Sequence, residues 1–202
     1  MAHEREWLAL FAQTEVYIYV FMQLMVRTHP FRNAVRKQAS WRDQVMLVLL
    51  FGGFSIFGTY AGIRLPSGAI SNVRDFAPMI AGLVAGPRVG LGAGLVGGIH
   101  RYLLGGFTGI SCGLATVLAG LICGGIYNLR RGKLLGVFPG MLLAAFIECV
   151  HGGLTLAIAR PFGDAVEVFR TAIPAMIVAN SLGIAIGILL TSDQQEPEAR
   201  TQ

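Results

Sequence analysis

The chain has little charge and no recognisable catalytic motif. Only 13% of its residues are Asp, Glu, Lys or Arg, whereas soluble domains carry about 25%. Hydrophobic residues make up 54% of the chain, and the mean hydropathy is +0.62. This composition argues against a soluble globular domain and indicates an integral membrane protein. Walker, GxSxG, HExxH and kinase catalytic motifs are absent from the sequence, so we expect no catalytic core in it.

Cysteine is also scarce. Cys112, Cys123 and Cys149 lie within apolar segments, and the sequence has no CxxC pair and no histidine cluster at metal-ligand spacing. A disulfide framework or a zinc site is therefore not expected, and we predict neither a metal nor another cofactor. No cleavable signal peptide is evident, because the start, MAHERE, is mixed in charge and no small-residue cleavage site follows the first apolar run. The N-terminus is predicted to remain as a membrane helix.

Apolar runs dominate the chain and predict an all-α polytopic membrane bundle. Four of the runs are long enough to cross a bilayer, which takes about 20 residues. With the shorter apolar segments they predict about six to seven transmembrane helices, over residues 7–26, 45–63, 72–85, 88–103, 109–129, 134–159 and 168–190. The third of these is short, so it either crosses the membrane or forms a re-entrant half-helix buried in protein.

Positive charge is concentrated in the connections between the apolar runs, as the positive-inside rule predicts for a membrane protein. This placement argues against a nucleic-acid partner, which a net charge of +5 would otherwise suggest. We place the basic connector around residues 27–42 and the loop NLRRGK in the cytoplasm, so the N-terminus is outside and the C-terminus inside. Ten of the 16 Lys and Arg residues then lie on the cytoplasmic side, at positions 27, 32, 36, 37, 42, 88, 130, 131, 133 and 200.

The segment over residues 72–112 is rich in glycine yet carries several charged side chains. Its glycines recur every four residues and would form one bare helical stripe: Gly82, Gly86, Gly90, Gly94 and Gly98. Close packing between helices explains such a stripe, and it is compatible with a thin wall around a cavity. Pro87 lies 13 residues after Arg74 and 14 before Arg101. A helical hairpin bent at Gly86-Pro87 would therefore bring the two arginines to the same height.

The two arginines predict a binding site for a small carboxylate. Guanidinium groups bind carboxylates in bidentate fashion, and ionisable groups within apolar segments usually face a partner or a watery cavity. Asn72, Ser111 and Cys112 fall at the same level and complete the predicted ligand-binding set with Arg74 and Arg101. The hydroxyl and the thiol would accommodate a keto or hydroxyl oxygen. Two alternatives remain open: each arginine reaches the lipid headgroups, or the adjacent aspartate simply neutralises the first of them.

A secondary polar site is predicted from Glu148, His151 and Asn180, which lie in the last two apolar spans. Glu148 would pair with an arginine, take part in a proton-linked step, or form hydrogen bonds as a neutral acid; structural pairing is the favoured alternative. Glu148 and His151 also form an ExxH pair, but one copy without further carboxylates is weak evidence for a metal site. Asn180 is expected to supply polarity for helix packing.

Four stretches of the sequence resemble a known family. The run NVRDFAPMIAGLVAGPRVGLGAGLVGGIHRYLLGGFTGISCGLATVLAGLICG, with FGGFSIFGTYAGI, IARPFGDAV and PAMIVANSLG, is similar to the membrane sensor domain of LytS-type bacterial histidine kinases, the five-transmembrane LYT receptor domain. The resemblance implies a receptor of the bacterial cytoplasmic membrane in two-component phosphorelay signalling, linked to cell-wall, autolysis or nutrient control. In pyruvate-sensing relatives, ligand contact is attributed to residues that match Arg74, Arg101 and Cys112. The family pattern has a serine three residues after this cysteine, whereas this chain has Ala115 at that position.

The resemblance also sets expectations for organisation and partners. We expect an N-terminal helix with its basic connector over residues 1–43, the sensor domain over 44–191 and a short polar cytoplasmic tail over 192–202. A kinase of the family would continue into soluble domains. The chain is therefore expected to be an excised sensor domain or a stand-alone receptor with a cytoplasmic partner. Its expected partners are a small carboxylate, the lipid bilayer and that signalling protein, and a homodimer is open.

Two other functions remain open from the sequence. A transporter, or the substrate-binding membrane subunit of one, is the first alternative, because carriers also use glycine-rich broken helices and intramembrane carboxylates. A scaffold whose glycine stripes only mediate oligomerisation is the second. Flux of a ligand across a membrane would favour the carrier, and saturable binding without flux would favour the sensor.

Overall fold

The computed structural model describes residues 2–64 and 70–194, with side chains for residues 12–62 and 71–194. The described part of the chain forms eight helices: α1 (Ala2–Met25), α2 (His29–Val35), α3 (Trp41–Tyr60), α4 (Phe76–Ala85), α5 (Pro87–Leu103), α6 (Gly109–Leu129), α7 (Val137–Ile158) and α8 (Phe162–Ser192). A two-residue antiparallel pair, β1 (Ile63–Arg64) with β2 (Ile70–Ser71), joins α3 to the segment before α4. Part of the loop RLPSGAIS and most of the predicted polar tail lie outside the described residues.

The prediction of an all-α polytopic membrane bundle is confirmed. Four helices, α3, α6, α7 and α8, are long and apolar enough to cross a membrane. Along the bundle, α5 packs lengthwise against α6 and α3, α4 lies against α5 and α6, and α8 packs between α7 and α1. The predicted spans over residues 7–26, 72–85 and 88–103 correspond to α1, α4 and α5.

The Gly-Pro break between α4 and α5 is also confirmed. Gly86 separates the two helices with φ 85° and ψ −176°, a conformation that L-residues with a Cβ rarely adopt. Pro87 then begins α5, at a helix position where its missing N–H costs no hydrogen bond. Helix α4 has 10 residues and is therefore about 15 Å long, half of a hydrocarbon core of about 30 Å. Its residues from Phe76 to Val84 are all buried, as a half-helix at membrane depth requires.

Several helix bounds differ from the sequence prediction, most clearly in the basic connector and at the start of the last helix. The basic connector contains α2, which begins after Thr28, whose hydroxyl accepts the Phe31 N–H. The last helix begins at Phe162, six residues before the predicted start at 168. Its first turns therefore include residues that were expected to form an outer loop. Pro161 occupies its N-cap and Asp164 lies in its first turn, where a carboxylate interacts favourably with the helix dipole.

The glycine stripe brings α4 and α5 against α6 at backbone distance. A Cβ on Gly82 would lie 2.7 Å from the Gly124 nitrogen, and one on Gly94 would lie 2.9 Å from the Thr116 carbonyl oxygen. These distances are shorter than the van der Waals contact between a Cβ and a backbone atom. The helices can therefore approach this closely only where the residue is glycine. The stripe therefore serves close helix packing, which sets the position of the polar residues that follow.

Adjacent glycines on α6 provide a matched test of this packing. A Cβ on Gly124 would overlap the Pro87 backbone, whereas a Cβ on Gly125 would have no atom within 4 Å among the described residues. We expect Gly124→Ala to destabilise the bundle by about 1–3 kcal/mol through overpacking. Gly125→Ala should be neutral or slightly stabilising, because alanine favours helix more than glycine. Unfolding in detergent, followed by circular dichroism, measures both, and equal stability of the two variants would contradict this packing.

Candidate functional site

A cluster of buried polar residues lies where the start of α4 meets α6 and α7. We call it the polar cluster, and its members are Arg74, Asp75, Cys112, Thr116, Glu148 and His151. Each of these residues is at most 7% exposed. Polar groups buried in this way require partners, so the contacts within the cluster decide what it can bind.

The backbone before α4 is held in place by α3, by α8 and by a hydrogen bond within the segment. The Ser55 hydroxyl on α3 donates to the Arg74 carbonyl oxygen at 3.0 Å, and the Arg74 N–H donates to the Asn72 side-chain oxygen at 3.0 Å. From α8, the Asn180 side-chain nitrogen donates to the Asn72 carbonyl oxygen at 3.4 Å. Asn72 and Asn180 therefore position the segment that carries Arg74, and they link it to the last helix.

Arg74 is fully buried, and part of its hydrogen-bonding capacity is unused within the described residues. Its Nε donates to the Thr116 hydroxyl at 2.7 Å and lies 3.6 Å from Asp75 Oδ1. Both terminal nitrogens, Nη1 and Nη2, are buried and find no hydrogen-bond partner among the described residues. A buried donor without an acceptor costs about 1–3 kcal/mol, and more for a charged group. The outer edge of this guanidinium is therefore suited to a carboxylate, which supplies two acceptor oxygens in one plane.

Asp75 connects Arg74 to α6 and α7. Asp75 is the N-cap residue of α4, but its side chain makes no cap hydrogen bond, although aspartate is favoured at this position. Instead Oδ1 accepts from the Thr116 hydroxyl at 2.5 Å, and Oδ2 lies 2.9 Å from His151 Nδ1. The carboxylate is thus directed into the polar cluster, where it neutralises Arg74 and orients the imidazole.

His151 bridges two acidic groups and a thiol. Its Nδ1 faces Asp75 Oδ2, and its Nε2 lies 3.2 Å from Cys112 Sγ. Glu148, one turn earlier on α7, has Oε2 at 3.4 Å from the same Nδ1. Neither Glu148 oxygen has a hydrogen-bond partner among the described residues, so Asp75 is the hydrogen-bond partner of this nitrogen. Within the described structure, Glu148 contacts this histidine, whereas the favoured alternative from the sequence was pairing with an arginine.

Arg101 approaches α6 from the end of α5. Its Nη1 donates to the Gly105 carbonyl oxygen at 2.7 Å, and its Nη2 donates to the Thr108 hydroxyl at 2.8 Å. Arg74, by contrast, binds Thr116, which is eight residues further along the chain and about 12 Å further along the helix axis. The prediction that the two arginines share one height is therefore wrong. They contact hydroxyl groups two turns apart along α6, because the packing of α4 against α6 sets the depth of Arg74.

Thr108, the N-cap residue of α6, is followed at four-residue spacing by Cys112 and Thr116, so the three residues lie along one side of the helix. Cys112 is in the middle, with Arg101 bound at one end of this face and Arg74 at the other. The predicted contact residue Ser111 is buried, and its hydroxyl donates to the Thr108 carbonyl oxygen at 3.2 Å. Thr116 was not predicted as a site residue; its spacing from Cys112 is the sequence signal that could have identified it.

Asp75, Glu148 and His151 also place potential metal-ligand atoms within 4.8 Å of one another. However, Arg74 lies 3.6 Å from Asp75 and already supplies a positive charge there. With Glu148 the cluster holds two carboxylates beside this one arginine, so charge alone does not favour an anion over a cation there. The feature that would accept a carboxylate is the edge of the Arg74 guanidinium formed by Nη1 and Nη2.

The chain is similar to bacterial sensor proteins over most of its length. The family model described as "5TMR of 5TMR-LYT" matches residues 28–194. Sensor histidine kinase BtsS of Escherichia coli (strain K12) is 33% identical over 181 residues, which cover 87% of this chain and 32% of the relative. Sensor protein LytS of Bacillus subtilis (strain 168) is 32% identical over 196 residues, covering 88% of this chain and 33% of the relative.

A third relative, sensor histidine kinase YpdA of Escherichia coli (strain K12), is 38% identical over 125 residues, covering 58% of this chain and 22% of the relative. The chain thus spans about a third of the length of BtsS and LytS. No solved structure matches the chain. All of α1 precedes the region that the family model matches.

Proposed function

Since the chain belongs to the 5TMR-LYT family of membrane receptors, we propose that it binds a small carboxylate and transmits the binding event to a cytoplasmic signalling protein. The family's LytS and BtsS members are named as sensors, and this chain matches them in its membrane-spanning region. Signalling through a phosphorelay, linked to cell-wall or nutrient control, is the activity we infer for the whole system. The C-terminus would lie in the cytoplasm, where that partner is found.

The observation that carries this proposal is the guanidinium edge of Arg74. Nη1 and Nη2 are buried and have no acceptor among the described residues, while Nε and Asp75 hold the group in a fixed orientation. A carboxylate would satisfy both nitrogens through charge-assisted hydrogen bonds of about 1.5–3 kcal/mol each. Asp75 balances the arginine in the empty state, which lowers the cost of keeping the site buried without ligand.

The other predicted contacts allow a ligand with an oxygen next to its carboxylate. Cys112 lies along α6 between the positions bound by Arg74 and Arg101, so its thiol is near any anion held by either group. Ala115 is 2% exposed. It has no hydroxyl group, whereas the pyruvate-sensing receptors that this chain resembles have a serine at that position. We therefore propose a pyruvate-like acid as the ligand class, with Thr116 and Ser111 as the nearby hydroxyl groups.

Packing between α4 and α8 offers a route for the signal. The helix directly after Arg74 and Asp75 inserts Phe76 and Ile80 into notches at two glycines of α8. A Cβ on Gly183 would lie 3.1 Å from Phe76 Cδ2, and one on Gly187 would lie 3.0 Å from Ile80 Cδ1. A ligand that pulls Arg74 would shift α4 in these notches and move α8. The ligand drives this change only if its affinity differs between the two arrangements.

Thermal unfolding of the purified protein with a panel of small acids tests the proposal. Pyruvate, lactate and propionate are expected to raise the unfolding temperature saturably, and the corresponding neutral amides are not. At a ligand concentration 100 times Kd, the stabilisation would be about 2.7 kcal/mol. Equal responses to acids and amides, or none to either, would refute carboxylate binding.

Two further measurements separate a sensor from a carrier. Transport of labelled pyruvate into proteoliposomes would favour the carrier, whereas saturable binding without flux supports a sensor. Hydrogen exchange along α8 should change when the acid is added. A ligand that stabilises the protein but leaves exchange in α8 unaltered would argue against the proposed route through the glycine notches.

A further inference from the structure

The arrangement of Cys112, His151 and Asp75 supports a chemical step as well as binding. We propose that Cys112 captures an α-keto acid reversibly, by forming a thiohemiketal between its Sγ and the keto carbon of the ligand. The inference rests on the proposed carboxylate site, which would deliver the keto group to the thiol. The covalent step is limited to acids whose keto carbonyl lies next to the carboxylate, whereas other small acids would bind without it.

The imidazole is oriented for proton transfer with the thiol. Asp75 Oδ2 lies 2.9 Å from His151 Nδ1, and a carboxylate accepts only, so the proton of the neutral ring is placed on Nδ1. Nε2, 3.2 Å from Cys112 Sγ, is then the acceptor for the thiol proton. A cysteine, a base and a third group that orients the base are the parts that activate a nucleophile in cysteine-dependent catalysis.

The proposed carboxylate site and this thiol are positioned one helical turn apart along α6, at Thr116 and Cys112. The Thr116 hydroxyl accepts from Arg74 Nε at 2.7 Å and lies 3.0 Å from the Cys112 carbonyl oxygen. The contact with Cys112 is to its backbone carbonyl; because Thr116 follows Cys112 by one turn on the same face of α6, the thiol lies about one helical turn from the group that would bind the carboxylate. In an α-keto acid the electrophilic carbon is bonded directly to the carboxylate carbon, so a short ligand reaches both groups.

The step balances without a co-reactant. His151 Nε2 removes the proton from Cys112 Sγ as the sulfur bonds to the keto carbon, and the electron pair of the carbonyl π bond moves to oxygen. The ring then gives its proton to that oxygen, so the net change is addition of S–H across C=O. His151 is neutral at the start and at the end, and nothing is oxidised. Reversal of the same steps releases the acid, as a sensor requires.

The other cysteines provide internal controls. Cys123 is 1% exposed and packs within the apolar core, and Cys149 is exposed on α7. In the described structure neither thiol has a histidine ring as a hydrogen-bond partner, whereas Cys112 does. A thiol that reacts because of its surroundings should therefore be Cys112, and substitution of Cys123 or Cys149 should leave the reaction intact.

Carbon-13 NMR with pyruvate labelled at the keto carbon tests the proposal on the purified protein in nanodiscs. The bound label is expected to move from the carbonyl region to the region of a tetrahedral carbon bonded to oxygen and sulfur. Cys112→Ala should abolish that signal, and Cys123→Ala should keep it. Cys112→Ala should also reduce pyruvate affinity to that of propionate, which lacks the keto group. In His151→Gln, exchange between free and bound label should slow, since the proton acceptor is lost.

The outcomes distinguish this inference from the proposed function. If pyruvate stabilises the protein but the bound label stays in the carbonyl region, capture by Cys112 is refuted and carboxylate binding stands. A tetrahedral signal that persists in Cys112→Ala would place the adduct elsewhere and also refute it. If no carboxylate stabilises the protein, both proposals fail together.

Discussion

Asp75→Ala is expected to destabilise the bundle by about 3–5 kcal/mol, the usual cost of removing one partner of a buried charge pair. Asp75 is fully buried, and it accepts from Thr116 and contacts both Arg74 and His151. Its removal leaves the guanidinium as an uncompensated buried cation. The free energy of unfolding in detergent, compared with that of the unaltered protein, measures the effect.

A second aspartate serves as the control. Asp164 lies in the first turn of α8 and is exposed, so Asp164→Ala should change stability by less than about 1 kcal/mol. Asp75→Asn keeps an acceptor oxygen but not the charge, and it should fall between the two. If Asp75→Ala were as stable as Asp164→Ala, the charge balance inferred for the polar cluster would be wrong.

Arg74→Lys is expected to weaken carboxylate binding by roughly 100-fold. Lysine keeps the positive charge but lacks the planar fork that offers two nitrogens to one carboxylate. The loss corresponds to about 3 kcal/mol, or one to two charge-assisted hydrogen bonds, and each 1.4 kcal/mol is about a factor of ten. Calorimetric titration with propionate measures it without involving the thiol.

Arg88→Lys is the matched control, because Arg88 is exposed at the bend between α4 and α5. This variant should bind propionate like the unaltered protein. Because the charge is kept next to Asp75, Arg74→Lys tests the guanidinium geometry more cleanly than truncation to alanine would. Unchanged affinity in Arg74→Lys would mean that the ligand is held elsewhere, and the proposed site would have to be abandoned.

The helices themselves follow from local sequence. Apolar runs of sufficient length cross a membrane wherever they occur, and the Gly86-Pro87 step ends one helix and starts another by restricting the backbone. Boundaries decided by caps were harder to predict. The sequence did not distinguish a loop from the first turns of α8, because Pro161 and Asp164 are compatible with both.

The candidate site was only partly predictable. Arg74, Arg101 and Cys112 stand out in the sequence because charged and reactive groups are rare in apolar segments, and their role in binding stays a prediction. Thr116 did not stand out, since an isolated threonine on a membrane helix is common. The relative depth of the two arginines was predicted wrongly because it depends on how α4 packs against α6, which helix length alone does not determine.

The sequence by itself determined that this protein is a helical membrane bundle with a glycine-lined break between two segments that carry arginines, because hydropathy, glycine spacing and proline act locally. Only the tertiary structure decided which groups meet in the polar cluster. Asp75 and His151 are 76 residues apart, and Cys112 and His151 are 39 apart. Their contacts depend on the rotation of α6 and α7 about their axes, which close packing through the glycines sets and which composition does not specify.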